Sequence, residues 1–319
     1  MRSVLLALPI LIAVASLPAG QLAATPPRTM AVTIDDLPYV HRAPDGYLPA
    51  AQRGTAAILA TLKKHGVPAV GFVNEDKLEA ATAEERIART ALLEQWVAAG
   101  HLLGNHTYSH PDANRLTAEA YLAEIDKGDA VTKRLMQSRR PYTLYFRHPM
   151  THTGDTTEKR AAIAKGLAAR GYTITPHTIE NGDFIFDVAY AGADAPTRAK
   201  LAETYLAHAM AATVFAENKA RELFGRDDVP QTLLIHTMSI NADHLDALLG
   251  ALAARGYRFI TLDAAMNHQA YATPDAFVGT HGPSWLFRWS RTIAPASNFS
   301  ADPEVPAWVM ALFQAAQGR

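Results

Sequence analysis

Two adjacent carboxylates, Asp35 and Asp36, close an apolar run in Thr33-Ile34-Asp35-Asp36-Leu37-Pro38. Adjacent residues at a strand end can be directed differently, letting one carboxylate face a metal ion while the other faces a bound water. The bland alternative is a solvated turn before proline. Farther along, His106 and His110 stand at i and i+4 in His106-Thr107-Tyr108-Ser109-His110. On a helical turn that spacing puts both imidazoles on one side, which suits two ligands of one ion. Two His and one Asp make three protein ligands and leave a coordination position for water, the arrangement of a catalytic metal. Arg147, in Tyr145-Phe146-Arg147-His148-Pro149-Met150, offers a planar fork that orients a nearby carboxylate and keeps it ionised. His236 ends the apolar run Leu233-Leu234-Ile235 and has the side chain for general acid catalysis near neutral pH.

The composition narrows what these residues can be part of. The chain has no cysteine, which rules out disulfides, thiolate metal sites and a Cys nucleophile. Any metal must therefore be held by His and carboxylate. With 30 Lys plus Arg against 31 Asp plus Glu, there is no basic field to neutralise phosphates, and nucleic acid is excluded as a partner. A hydrophobic content of 49% with 19% charged residues is that of a folded chain with a large core.

These residues need elements that hold them together, and the hydrophobic patterning supplies an alternation of strands and helices. Strands are expected at 30–34, 69–73, 102–105, 143–146, 172–175, 232–235 and 258–261. Helices are expected at 50–65, 84–99, 117–138, 158–170, 197–224 and 242–255. Gly66, Gly100, Gly171 and Gly256 each follow a helix and lead into a strand. The fold class is α/β, a distorted (β/α) barrel of about seven parallel strands, whose strand carboxyl ends form the reacting face. The helix at 197–224 reads as an insertion decorating the barrel. Residues 1–24 read as a cleavable leader: Arg2 precedes an apolar run at 4–17, shorter than the ~20 residues of a membrane span, with Pro18, Gly20 and small residues after it. The organisation is then a signal peptide at 1–24, a barrel at 25–271 and an irregular C-terminal extension at 272–319. The mature chain is expected to be exported, periplasmic or extracellular, with no stable membrane span after processing.

In combination and order these segments resemble the polysaccharide deacetylase family, also called the NodB homology family or carbohydrate esterase family 4. The resemblance runs over roughly residues 30–261. Thr33-Ile34-Asp35-Asp36 looks like the family's Thr-Phe-Asp-Asp, and His106 to His110 fits its His-(Ser/Thr)-x-x-His. Arg147-His148-Pro149-Met150 is similar to Arg-x-Pro-Tyr with Met150 for the aromatic. Asp183-Phe184 resembles Asp-Trp with Phe for Trp, and Leu234-Ile235-His236 fits Leu-x-His.

The resemblance implies a barrel of the glycoside hydrolase and deacetylase type and a divalent metal held by Asp36, His106 and His110, most often zinc, with cobalt as the alternative. It makes Asp35 the general base, Arg147 its positioning cation, His236 the acid that protonates the departing amine, and Asp183 the group that tunes His236. Met150, Phe184 and Leu234 become substrate contacts, Leu234 lining the acetyl pocket. The implied reaction is removal of N-acetyl groups from an N-acetylated glycan or oligosaccharide. The alternatives are an amidohydrolase of the same fold acting on a small non-sugar amide, and a catalytically silent carbohydrate-binding protein. His148, His152, His177 and His244 are expected to be solvated loop residues, and Trp285, Arg288 and Trp289 to pack a tail onto the barrel.

Overall fold

The structure, a computed structural model, describes residues 28–40 and 46–318, so the leader expected at 1–24 lies outside the described residues. Within them, eight strands form one parallel sheet: β1 (Arg28–Leu37), β2 (Ala69–Val73), β3 (Leu102–Asn105), β4 (Tyr145–Phe146), β5 (Thr173–Ile174), β6 (Ile179–Glu180), β7 (Gln231–His236) and β8 (Tyr257–Phe259). The order is β5-β4-β3-β2-β1-β7-β6, with β8 on the first residues of β1. The sheet curls without closing, because β5 and β6 are its two edges. Around it lie α1 (Tyr47–Lys64), α2 (Ala83–Ala98), α3 (Ala118–Lys127), α4 (Ala130–Met136), α5 (Thr157–Ala169), α6 (Asp183–Ala191), α7 (Ala195–Phe224), α8 (Ser239–Ala254), α9 (Leu262–Met266), α10 (Trp285–Ile293) and α11 (Ala307–Gln317). No helix among the described residues is long and apolar enough to cross a membrane.

A parallel strand covered on both faces reads as a continuous apolar run, and β1, β2 and β7 do. Met30, Val32 and Ile34 of β1 join a cluster with Ile58 and Leu62 of α1 and Leu245 and Leu248 of α8. Ala31 packs instead with Val70, Phe72 and Tyr145 inside the curl. The period of two then directs Thr33 and Asp35 to the same inner side as Ala31.

Apart from short elements that the patterning does not foresee, such as β6 and α6, the structure departs from expectation in four places. The helix at 117–138 is broken into α3 and α4 at Gly128, for a reason given below. The helix at 197–224 is not decoration: α7 places Leu201, Tyr205, Ala209, Ala212 and Ala216 in the main core. The stretch expected to be irregular holds α10 and α11. Finally, His148 and His177 are buried, not solvated, His148 stacking on Tyr121 at 5.8 Å and His177 meeting Trp285 edge-on at 5.4 Å.

The open edge between β5 and β6 is sealed by the C-terminal segment. Trp285 donates its backbone N–H to the His177 carbonyl at 2.8 Å. Arg288, fully buried, donates to the Thr151 carbonyl at 2.6 Å and to Thr153 Oγ1 and Asp275 Oδ2 at 3.1 Å each.

Buried neutral histidines tie this core to pH. Burial pushes His101 down to about 4, reinforced by Arg139, and pushes His148 down to about 3, reinforced by Arg288. A depressed folded-state pKa means that the unfolded chain binds more protons below the ordinary value near 6.5, so stability is lost as pH falls from there toward 4. His101 alone accounts for a loss on the order of 3 kcal/mol. Thermal melts between pH 7 and pH 4 should show a steadily falling midpoint, with a shallower slope in His101→Gln; a flat midpoint would refute the assignment.

Candidate active site

The end of β1 solves a geometric problem. In a regular strand Asp35 and Asp36 would point to opposite faces. Here Ile34 pairs with Gly71 and Leu37 with Val73, so the two aspartates form a bulge against β2. Asp36 takes φ of 72°, a left-handed conformation that turns its side chain back. Both carboxylates therefore line one pocket of about 410 Å³, together with His106, His110, Met150, Phe184, Leu234 and His236. Arg147 and Asp183 lie just behind its wall, each fully buried.

His106 and His110 are brought together, but not by a helical turn. They sit in a loop after β3 in which Thr107 and His110 have φ of 68° and 57°. The loop is held from several sides: His106 N–H donates to the Val73 carbonyl at 3.0 Å, Thr107 N–H to Asn105 Oδ1 at 2.7 Å, and Asn74 Nδ2 to the His106 carbonyl at 2.7 Å. Tyr108 N–H donates to the Glu124 carbonyl of α3 at 3.0 Å. Gly128 lets α3 end against this loop, since a Cβ there would lie 2.5 Å from the backbone of Thr107 and Tyr108. Gly128→Ala should therefore displace the His106–His110 loop. A misplacement of about 1 Å is enough to cost roughly a hundredfold in activity. Turnover and metal content measured together would check this, and unchanged values in both would refute it.

Asp36, His106 and His110 each offer one ligand atom, and these atoms lie within 4.8 Å of one another. The donors fit a divalent cation. His106 Nδ1 is 2.8 Å from the Arg147 carbonyl, an acceptor that fixes the proton on Nδ1 and leaves Nε2 free to ligate. Burial holds both imidazoles below their ordinary value, hence neutral. Burial alone would raise Asp36, yet the Lys77 ammonium at 3.0 Å, together with the charged His236, holds it well below the usual carboxylate range.

Two pairs flank this cluster. Asp35 is 2% exposed, and burial pushes it up to about 6 against the opposing pull of Arg147 and His236. Arg147 Nη1 is 3.9 Å from Asp35 Oδ2, and its Nη2 donates to Thr33 Oγ1 at 2.8 Å. Asp35 Oδ1 is buried without a hydrogen-bond partner among the described residues. His106 Nε2 lies 3.7 Å from Asp35 Oδ2.

On the other side, Asp183 starts α6, where a helix N-terminus favours negative charge. Its Oδ1 is 2.8 Å from His236 Nδ1, and its Oδ2 accepts from His236 N–H at 2.7 Å and from Asn241 Nδ2 at 2.6 Å. Tyr205 of α7 donates to Asn241 Oδ1 at 2.6 Å, so the long helix supports this pair from behind. Burial would lower His236, but Asp183, Asp36 and Asp35 outweigh it and raise it to about 10. Phe184 is 40% exposed at the rim, edge-on to His236 at 6.3 Å; Met150 is 45% exposed.

Sequence reasoning missed Lys77, Asn241 and Glu180. Glu180 lines the pocket beside Leu234, its partner in the β6–β7 ladder. No short-range pattern marks any of the three. Lys77 acts from a 3₁₀ turn after β2, Asn241 from α8, and Glu180 from a strand of two residues.

The family model of polysaccharide deacetylase matches residues 23–169. Among curated relatives, an uncharacterized 30.6 kDa protein of Geobacillus stearothermophilus is 25% identical over 69% of this chain and 68% of its own length. A chitin deacetylase of Arthroderma benhamiae is 28% identical over 43% of this chain and 32% of its length. A peptidoglycan-N-acetylglucosamine deacetylase of Bacillus cereus is 34% identical over 25% and 26%. The chain thus spans only about a third or less of the length of those two deacetylases. In fold it is similar to the chitin deacetylase of Colletotrichum lindemuthianum, with TM-score 0.50, 22% identity and coverage of 81% of this chain and 93% of that one. It is equally similar to a CE4 family pseudoenzyme of Bacillus anthracis, with TM-score 0.50, 16% identity and coverage of 76% and 66%.

Proposed function

We propose that the chain, whose residues 23–169 match the family model of polysaccharide deacetylase, is a divergent member of that family and an exported, metal-dependent hydrolase that removes acetyl groups from an N-acetylated glycan. The observation that carries this reading is one pocket in which Asp35 and His236 flank the Asp36, His106 and His110 cluster, each backed by its buried partner, Arg147 and Asp183. In fold alone the chain is as close to a pseudoenzyme as to a chitin deacetylase, so the argument for turnover rests on these side chains.

A divalent ion held by Asp36, His106 and His110, zinc by the donor set, would polarise the acetamide carbonyl and make a water more acidic. The protein's own part begins with Asp35. Buried and raised toward neutrality, it takes a proton from the attacking water as the water's oxygen bonds to the carbonyl carbon. Arg147 holds Asp35 in place from behind. His236, charged and fixed through Nδ1 by Asp183, gives its proton to the amide nitrogen. The C–N bond then breaks, leaving acetate and a free amine. Leu234, 3% exposed, supplies an apolar wall for the acetyl methyl group. Phe184 and Met150 offer apolar surface at the rim to the sugar.

Export is supported by the leader pattern of residues 1–24. The test of the reaction is acetate release from N-acetylglucosamine oligomers of increasing length. Release from at least one length is expected, and no release from any of them would overturn the reading.

A further inference from the structure

The wall of the active-site pocket includes a turn in which two successive non-glycine residues are left-handed, Met150 with φ of 53° and Thr151 with φ of 52°. Such a pair persists only where its surroundings over-determine it. The surroundings here come from the far end of the chain, beyond the residues that the family model matches. Thr151 Oγ1 donates to the Gly282 carbonyl at 2.6 Å, and Gly282 itself lines the pocket. Arg288 Nη2 donates to the Thr151 carbonyl at 2.6 Å while its Nη1 donates to Thr153 Oγ1 at 3.1 Å, so one guanidinium brackets the end of the turn. Arg288 is anchored in turn by Asp275 Oδ2 at 3.1 Å, by the Pro283 carbonyl at 3.1 Å and by the face of Trp285 at 4.5 Å. The fit leaves no room. A Cβ on Gly282 would lie 2.0 Å from Thr151 Oγ1 and 2.1 Å from the Met150 carbonyl oxygen, although the φ of Gly282 is outside the left-handed region and does not itself require glycine.

The segment that carries this turn begins at Arg147. Its guanidinium is 3.9 Å from Asp35, and its carbonyl accepts from His106 Nδ1 at 2.8 Å. Thr151 N–H closes the turn on the His148 carbonyl at 2.9 Å, so a shift at Thr151 is passed back along the segment to Arg147. We propose that Gly282 and Arg288 are positioning residues of the active site: they set the place of the Met150–Thr151 turn and, through Arg147, that of Asp35. The C-terminal segment is then a part of the site as well as a seal on the edge of the sheet. The proposal rests on the deacetylase reading for its effect on rate, and its effect on geometry stands apart from that reading.

The test is Gly282→Ala in the full chain, with kcat and KM for acetate release at saturating zinc and the carbon-13 methyl NMR signals of methionine read on the same samples. Met150→Leu identifies the Met150 signal. In Gly282→Ala, kcat is expected to fall about a hundredfold, the cost of a misplacement of about 1 Å, with a smaller change in KM. The Met150 signal is expected to shift in the protein without substrate, and to shift likewise in Arg288→Lys, which keeps the charge but loses the fork. Thr151→Val, which removes the hydroxyl, should act in the same direction, and Thr151→Ser should recover what Thr151→Val loses. A purely structural role would lower the melting temperature and leave kcat of the folded protein unchanged. That result overturns the proposal, and so does a Met150 signal that stays in place in Gly282→Ala. If Gly282→Ala does not fold, the two Thr151 variants carry both readouts. Absence of acetate release from the unaltered protein overturns the deacetylase reading, while the Met150 signal decides the positioning independently.

Discussion

An Asp35→Asn variant is expected to lose about a thousandfold in kcat while keeping its fold and its metal, because a positioned general base contributes roughly 10²–10⁴-fold. Asparagine has nearly the shape of aspartate, and although the charge pairing with Arg147 at 3.9 Å is lost, Arg147 itself stays held by Thr33 Oγ1 at 2.8 Å. The metal set of Asp36, His106 and His110 does not include Asp35. Rate and metal content therefore separate the possible roles. Loss of rate with full metal occupancy is the expected result. Full activity would remove Asp35 from the chemistry, and loss of metal would move it into the ligand set.

The second large effect is expected from the metal ligands. His106 is 1% exposed and oriented by the Arg147 carbonyl at 2.8 Å, so His106→Ala removes a ligand that nothing nearby can replace. Metal affinity should fall by at least about a hundredfold, the upper end of what losing a supporting partner alone costs, and acetate release should fall to background. Chelation of the unaltered protein should do the same, with activity restored by zinc or cobalt. A thermal readout distinguishes binding from catalysis. An ion present at 100 times its Kd stabilises the folded state by about 2.7 kcal/mol, so chelation should lower the melting temperature of the wild type and leave that of His106→Ala unmoved. A wild type indifferent to chelator in both activity and melting would end the metal hypothesis.

Much of the site was legible in the sequence because its parts sit where apolar runs stop. Asp35 lies in the last residues of its strand, His106 and Arg147 follow one and His236 ends one, and parallel strands bring their carboxyl ends to one face. What the sequence concealed was local backbone and distant support. The i, i+4 spacing of His106 and His110 suggested a helical turn, whereas the loop needs left-handed residues and a side-chain-free Gly128 beneath it. The break between α3 and α4 follows from that same contact, which no propensity at Gly128 alone reveals. The long helix read as an ornament because periodicity says which face is apolar but not against what it packs. Tyr205 reaches Asn241, and through it Asp183, across the fold. Glu180 escaped notice because a strand of two residues has no period to detect.

Five non-glycine residues among those described have positive φ: Asp36 in the bulge of β1, Thr107 and His110 in the loop after β3, and Met150 and Thr151 in the turn after β4. Each such conformation costs on the order of 1–3 kcal/mol. A programme to make this protein more heat-resistant would mark these positions first, since relieving backbone strain is among the easiest gains in stability. Glycine at Thr107 would relieve it, and would also remove the hydroxyl that accepts the His110 N–H at 3.1 Å. Safer targets lie away from the pocket, such as Ile87 on α2, 70% exposed and without such constraints on its backbone. Thermostability and turnover are thus set against each other at five known positions, and a variant selected for heat alone would be drawn toward losing its chemistry there.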